Sequence, residues 1–495
     1  MSELPKGWVN TQIGQVITLN EKLKGIDDEI ECGFVPMALM PTAYRGFVNF
    51  ETKTWGSCKK GFTQFKDDDV LLAKITPCFE NGKGGIVTGL PNGIGAGSTE
   101  YFVLRCIDEL IQPQYLHAFV KSKKFMDDCE VHMGGSVGHK RVPKDYLLKY
   151  EIPLAPLNEQ IRITNKLDSI LAKVDKAQAR LDKIPAILKR FRQSVLAAAT
   201  SGELTKEWRA ENPSATSEPI LNELSSFKFD ARTKKLVDKE IRPDEISTDL
   251  PSGWKWVRLC GITDVVSGVA KGSKTKEETV SLPYLRVANV QRGYLDLSEV
   301  KYIDVAQSKG ENLKLEKGDV LFNEGGDIDK LGRGWVWEGQ IEDCIHQNHV
   351  FRARILSNKI QPKYLSFYGN ESARDYFLRE GTQTVNLANL NKTTLSLLPV
   401  PLPPEEEQVE IVRQVDRLLN KANKVEKQYL DAKARLDRLT QSILAKAFRG
   451  ELVQQDPSDE PAEKLLERIL AEKEQRELKK TTRKRTKNAK TAEKE

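Results

Sequence analysis

The chain is poor in the residues that mark a catalytic or metal centre. Among 495 residues there are five histidines, five methionines and seven cysteines. The cysteines stand at 32, 58, 78, 106, 129, 260 and 344, an odd number with no CxxC pair. That spacing predicts reduced thiols and excludes a disulfide framework or a zinc ribbon. The histidines at 117, 132, 139, 346 and 349 form no HExxH pair. Cys344, His346 and His349 offer only three ligands on one short, strand-like stretch, so no metal site is expected. No apolar run approaches the ~20 residues that cross a bilayer. The start, MSELPKGWVN, lacks a basic segment followed by an apolar one, and a cytoplasmic location is expected. There is no GxxxxGK[ST] phosphate loop and no Asn/Asp-Pro-Pro-aromatic tetrapeptide of the kind expected in amino-methyltransferases. The stretches GKGG and GAGS lack the strand–loop–helix context of a nucleotide site and read as turns. The residues are those of a non-catalytic chain.

Charge of one sign is also lacking over most of the length. Lys and Arg total 77 against 71 Asp and Glu, a net charge of +6. Residues 476–495 hold nine Lys/Arg and three Glu, which accounts for all of it and leaves 68 against 68 elsewhere. Any nucleic-acid surface on the body must therefore be a local cluster. The tail reads as helical or disordered and basic.

What the chain does have is a long duplication. RQSVLAAATSGEL at 192–204 returns as TQSILAKAFRGEL at 440–452, eight of thirteen positions identical, 248 residues later. LPKGW (4–8) returns as LPSGW (250–254), IQPQYL (111–116) as IQPKYL (360–365), and IPLAPLNEQ (152–160) as VPLPPEEEQ (400–408). This period is too long for a solenoid and implies two whole domains with two whole connectors. Short apolar runs between glycine-rich turns, such as DVLLAKI and DVLFNE, predict mixed α/β globular parts.

After each globular part the apolar period changes. Ile163, Leu167, Ile170, Val174, Ala177, Leu181, Ile184, Leu188, Phe191 and Val195 step by 4 and 3. Ile411, Val415, Leu418, Ala422, Val425, Tyr429, Ala432, Leu436, Leu439 and Ile443 repeat the register. A 3.5-residue period held over four heptads predicts a coiled-coil seam about 50 Å long. Prolines precede each helix, and Pro185 inside the first should kink or restart it. The expected segments are 1–155 globular, 156–205 helical spacer, 206–249 polar connector, 250–402 globular, 403–455 helical spacer and 456–495 tail. The expected fold is thus two α/β (α+β) domains in tandem, separated by two long helices forming an antiparallel coiled coil, with pseudo-twofold symmetry. Such a ruler suits two copies of one partner, or a long ligand such as DNA read at two half-sites. Two alternatives are a DNA-independent coiled-coil scaffold, and a DNA methyltransferase or nuclease carrying its own recognition domains.

The segments 152–205 and 400–453, with the LPxGW starts and IQPxYL, resemble the conserved regions of the specificity (S) subunit of type I restriction–modification systems, over nearly the whole chain. The resemblance implies that each globular part is a target recognition domain reading half of an asymmetric bipartite double-stranded DNA target. The helical pair would set the unread gap. Two modification (methyltransferase) subunits using S-adenosylmethionine would dock, and two restriction subunits would bring ATP- and Mg2+-dependent translocation and cleavage. The chain itself would hold no cofactor and touch no membrane.

Base reading needs Arg or Lys for guanine and Asn or Gln for adenine, on polar loops, with other polar groups on phosphates. In the first domain these criteria select Tyr44, Arg45, Lys74, Thr76, Asn81, Lys83, Ser136, His139, Lys140 and Arg141. In the second they select Arg286, Asn289, Gln291, Arg292, Asn323, Arg333, Gln347, Asn348, His349, Thr382, Gln383, Thr384 and Asn386. Trp8 and Trp254, at matched positions, are expected to be buried.

Overall fold

The computed structural model describes residues 4–107, 110–136, 138–246, 249–270, 277–327, 331–383 and 387–476. The chain divides into two compact units that do not follow chain order. The first comprises residues 1–182 and 429–495, the second 183–428.

In the first unit, Ile17–Leu19, Tyr101–Cys106, Val70–Ala73 and Gly84–Ile86 form an antiparallel sheet. The run VLLA is buried at all four positions, which is why it lacks strand alternation. A second sheet orders Glu51–Thr54, Glu31–Val35, Ile94–Gly97 and Thr63–Lys66, its central pair parallel. Val9–Gln12 pairs with Glu151–Leu154, closing the domain where the long helix leaves it. The second unit repeats the plan. Thr263–Ser267, Val350–Ile355, Val320–Asn323 and Gly334–Val336 form one sheet. Lys301–Ala306, Thr279–Leu285 and Ile345–His346 form another, and Lys255–Arg258 pairs with Pro399–Leu402. One ion pair recurs in the sheets, buried in the first unit and half-buried at its arginine in the second. Arg105 grips Asp69 with two bonds of 2.8 and 2.7 Å, and Arg354 grips Asp319 with two of 2.8 Å.

The first spacer helix is broken. It runs Leu157–Leu181 and restarts as Ile184–Thr200 with Pro185 in the new first turn, where a missing N–H costs nothing. The matching helix, with Lys433 in place of proline, is continuous over Glu405–Phe448. In the first unit Ile163, Leu167, Leu171, Ile443, Leu444 and Ala447 share one core. In the second, Val195 and Ala199 pack with Ile411 and Val415 while Arg192 bonds Asn423 and Glu426, so these segments run antiparallel.

The expected seam needs correction at three positions. Phe191, Val425 and Leu439 are 38, 43 and 42% exposed. Leu171, Leu444 and Ala447, outside the 3.5-residue register, are buried instead. A straight helix turns ~20° per heptad away from a strict seven-residue stripe, so the buried face drifts off the register along each helix. Ile163, Leu167, Leu188, Ile411, Val415 and Ile443 are buried; Ile170, Val174, Leu181, Leu418, Tyr429 and Leu436 are half-buried.

Two stretches expected to be peripheral are built into the fold. Residues 206–249 contain helices Lys206–Glu211, Glu218–Ser225 and Ala231–Val237, and Ile220 and Leu224 lie in the second unit's core. The helix at 462–476 buries Ala462, Leu465 and Ile469 in the first unit's core. Both are anchored alike: the Ala462 N–H donates to Gly7 O and the Ser217 N–H to Gly253 O. Most of the basic tail, 477–495, lies outside the described residues.

The duplicated motifs meet at one joint per unit. Trp8 is buried and donates its indole N–H to Glu159 at 2.9 Å; Trp254 donates to Glu407 at 2.7 Å. The Gln160 carbonyl accepts from Gln112 N and its amide donates to Ala155 O; Gln408 does the same with Gln361 N and Pro403 O. The Tyr115 hydroxyl donates to Pro153 O and that of Tyr364 to Pro401 O, each at 2.7 Å. LPxGW, IQPxYL and the proline–Glu–Gln run are therefore one device, which seats the first helical turn on its domain.

Candidate nucleic-acid interface

Beyond the end of strand Val70–Ala73 the chain meets the loop that precedes Val142. Val142 N donates to Lys74 O, Thr76 N to Lys140 O, and Lys140 N to the Thr76 hydroxyl. Arg141 bonds both carboxylate oxygens of Glu100, at 3.0 and 2.8 Å, and its third arm reaches His139 O. That bidentate bond holds the Glu100 carboxyl below the usual carboxylate range. Lys74 is held by its ammonium on Thr99 O. Six expected residues thus stand together: Lys74, Thr76, Ser136, His139, Lys140 and Arg141, the last four exposed. Lys140 is a cation with its side chain in solvent, and Arg141 keeps its fork planar and oriented. A patch of this kind suits phosphate oxygens and base edges.

The second unit builds the same loop pair from other residues. Leu390 N donates to Glu324 O, matching Val142 on Lys74, and Gly325–Asp327 pairs with Leu387–Asn389 as Ile75 bridges Arg141. Thr382–Gln383 pairs with Leu387–Asn389 on its other side. Glu324 N donates to His349 O, and the two side chains bond at 2.5 Å. His349 is exposed; Gln347 and Asn348 beside it are half-buried. Thr384 and Asn386 lie outside the described residues, and only the backbone of Thr382 and Gln383 is described. The patch that carries Lys74 and Arg141 in one unit carries Glu324 and Asn389 in the other, so its charge differs while its backbone is kept.

Other expected residues are used inside the fold, and for the buried ones base contact is corrected. Asn289 is buried and bonds Arg286 N, Asp296 O and Glu299 O. Asn323 is buried on Val287 O and Val290 O. Each bonds backbone carbonyls of a turn inside the fold, which a polar sequence reading mistakes for a binding loop. Lys83 donates to Met37 O, Arg286 to Glu299 O, Gln291 to Ala288 O and Arg333 to Val287 O. Arg292 is exposed, with its charge acting on Glu371. Tyr44 is half-buried, stacked on His117, and Arg45 bonds Asp168 and Asp175 of the spacer helix. Asn81 is exposed on the rim of a cavity of about 420 Å³ beside them. Burial pushes His117 down to about 3 and Lys121, which donates to Thr42 O and Gly82 O, down to about 8.

Sequence reasoning missed Glu100 and Glu324, acids that shape the two patches, because the criteria selected donors. It also missed Asp69 and Arg105, whose spacing carries no local signal. Cys344 is buried, His346 is buried with Nδ1 on Val350 O, and His349 faces Glu324. Burial pushes His346 down to about 4.

The profile of the type I restriction modification DNA specificity domain matches residues 5–186 and 251–432. The specificity subunit of the type I restriction enzyme EcoKI from Escherichia coli (strain K12) is 29% identical over 98% of this chain and 99% of its own. The StySPI specificity subunit of Salmonella potsdam is 33% identical over 76% of this chain and 75% of its own. A chain solved in a study of type I R-M complex assembly superposes with a TM-score of 0.66 at 20% identity, covering 91% of this chain and 100% of that one. The HsdS subunit from Thermoanaerobacter tengcongensis gives 0.58 at 20% identity, covering 91% and 98%. The two matched stretches coincide with the two halves of the duplication, and the chain belongs to the type I restriction modification DNA specificity domain family.

Proposed function

We propose that the chain is the DNA-specificity subunit of a type I restriction–modification complex and catalyses no reaction itself. Each recognition domain reads one half of an asymmetric bipartite target, and the helical spacer sets the unread gap. Two methyltransferase subunits, which bring S-adenosylmethionine, dock around it. Two restriction subunits, which use ATP and Mg2+, join them in the cytoplasm. One observation carries this reading: the same loop pair stands at the same place in both units with different side chains. Two readers of different sequences on one scaffold require that combination.

In the first unit, Lys140 and Arg141 engage phosphate and base edges while Glu100 holds the guanidinium plane. Adenine-methylation mapping by single-molecule sequencing, with and without the gene, tests the function. Deletion is expected to erase methylation at one asymmetric bipartite motif. In the methyltransferase complex, Lys140→Ala with Arg141→Ala is expected to weaken DNA binding and to lower the slope of log affinity against log salt by about 1 for each phosphate no longer neutralised. An unchanged methylome together with an unchanged salt slope would refute the reading.

A further inference from the structure

Past the seated first turn, each helix is also packed by buried apolar residues, Ile163 and Leu167 in one unit and Ile411 and Val415 in the other. In each unit a second attachment stands nine residues further along, about 13 Å at ~1.5 Å per residue. In the first unit it is Arg45, donating to Asp168 at 2.9 Å and to Asp175 at 3.2 Å. In the second it is Lys363, donating to Asp416 at 2.9 Å. Asp168 and Asp416 are matched positions of the duplication, 248 apart, yet the cations come from unrelated places: a loop after Met37–Leu39 and the helix Pro362–Asn370. The anchoring aspartate is kept while its partner is changed. Expendable surface ion pairs have no reason to recur this way.

We propose that Arg45 and Lys363 are positioning residues that fix the inclination of the spacer helix on each recognition domain, and thereby the number of unread base pairs between the half-sites. This rests on the DNA-specificity reading above. The lever gives the scale. A slip of ~1 Å at a tether ~13 Å from the joint is a tilt of about 4°. Along the ~60 Å from Glu407 to Phe448 on the continuous second helix, that moves the far end by about 4 Å, comparable with the ~3.4 Å rise of one base pair. Arg45 is exposed and Lys363 half-buried, and with a third of each side chain in solvent such pairs add little to folding. A tenfold preference for one gap over its neighbours needs only about 1.4 kcal/mol. A weak tether can therefore decide spacing without deciding stability.

The test uses the full chain in complex with its methyltransferase subunits, S-adenosylmethionine, and duplexes carrying the native half-sites with gaps lengthened or shortened by one and two base pairs. The wild type is expected to methylate one gap at least tenfold faster than its neighbours. R45A and K363A are expected to bring that ratio close to one, with half-site base preferences and melting temperature unchanged. R45K is expected to restore part of the ratio, and R45D combined with D168R most of it. An unchanged ratio in both alanine variants overturns the proposal, as does a uniform loss of rate at every gap. If the wild-type complex methylates no bipartite duplex, the specificity reading itself falls with it.

Discussion

Glu159 and Glu407 make the same bond to a buried indole, but their second oxygens differ, and one substitution should therefore have two outcomes. Oε1 of Glu407 accepts from the Thr205 hydroxyl at 2.6 Å and from the Arg209 guanidinium. Oε1 of Glu159 is buried and accepts from no protein group among the described residues. Burial accordingly raises the Glu159 carboxyl above its usual range, against the opposing pull of Trp8 and Arg162. Glutamine keeps the volume and replaces one oxygen with NH2. At 159 the amide oxygen retains the Trp8 bond, and the NH2 takes the place of an oxygen that had no partner. No hydrogen bond is lost, and removal of an under-compensated charge offsets the cost of burying an unpartnered NH2, so E159Q should lie within ~1 kcal/mol of the wild type. At 407 the NH2 must face Arg209 and Thr205, and a buried ion pair is broken. That costs about 3–5 kcal/mol. A loss of 3 kcal/mol lowers Tm by roughly 6–12 °C in a unit of this size. Scanning calorimetry of the full chain measures both variants. Hydrogen exchange of peptides covering 156–167 and 404–415 assigns the loss to one unit. Equal costs at the two sites, or an E407Q effect below 1 kcal/mol, would refute the reasoning.

The helix at 462–476 should be part of the first unit's stability. Leu465→Ala is expected to cost about 2–5 kcal/mol, raising hydrogen exchange in residues 1–182 and sparing 183–428; unchanged melting would mean that this helix does not pack as described. Acid should weaken the fold through two histidines kept neutral by burial, His117 near 3 and His346 near 4. The unfolded chain takes up these protons near pH 6.5, so their contribution is complete above that pH and falls by up to ~1.4 kcal/mol per site for each unit of pH below it, down to the folded value. Denaturant titrations from pH 7 to 4.5 measure the slope. His346→Asn should reduce it by about one proton; an identical slope would place the titration elsewhere.

Much of the architecture is written locally and is legible without coordinates. The duplication is a matter of identity at fixed offset. The spacer helices show in the 4–3 stepping of apolar residues, and the break at Leu181 in a single proline. Burial of Trp8 and Trp254 follows from large aromatics at the start of each domain. The joint was half legible: its motifs recur, but nothing in LPKGW says that its indole meets a carboxylate 151 residues away. Base-reading candidates were the least legible part. Asn289 and Asn323 have the composition of binding loops and spend it on buried carbonyls. Arg45 has the composition of a phosphate contact and holds a helix. Lys140 has the same composition and keeps its side chain in solvent, while Arg141, also exposed, bonds Glu100 and His139 O. Periodicity and propensity are properties of neighbours along the chain. The partner of a polar side chain is settled by which distant segment arrives beside it. The sequence by itself determined the repeat, the helices and the absence of catalytic motifs. Only the tertiary structure decided that residues 429–476 complete the first unit, that Leu171 and Leu444 are buried while Phe191 and Leu439 are exposed, and which donors bond the protein's own acceptors.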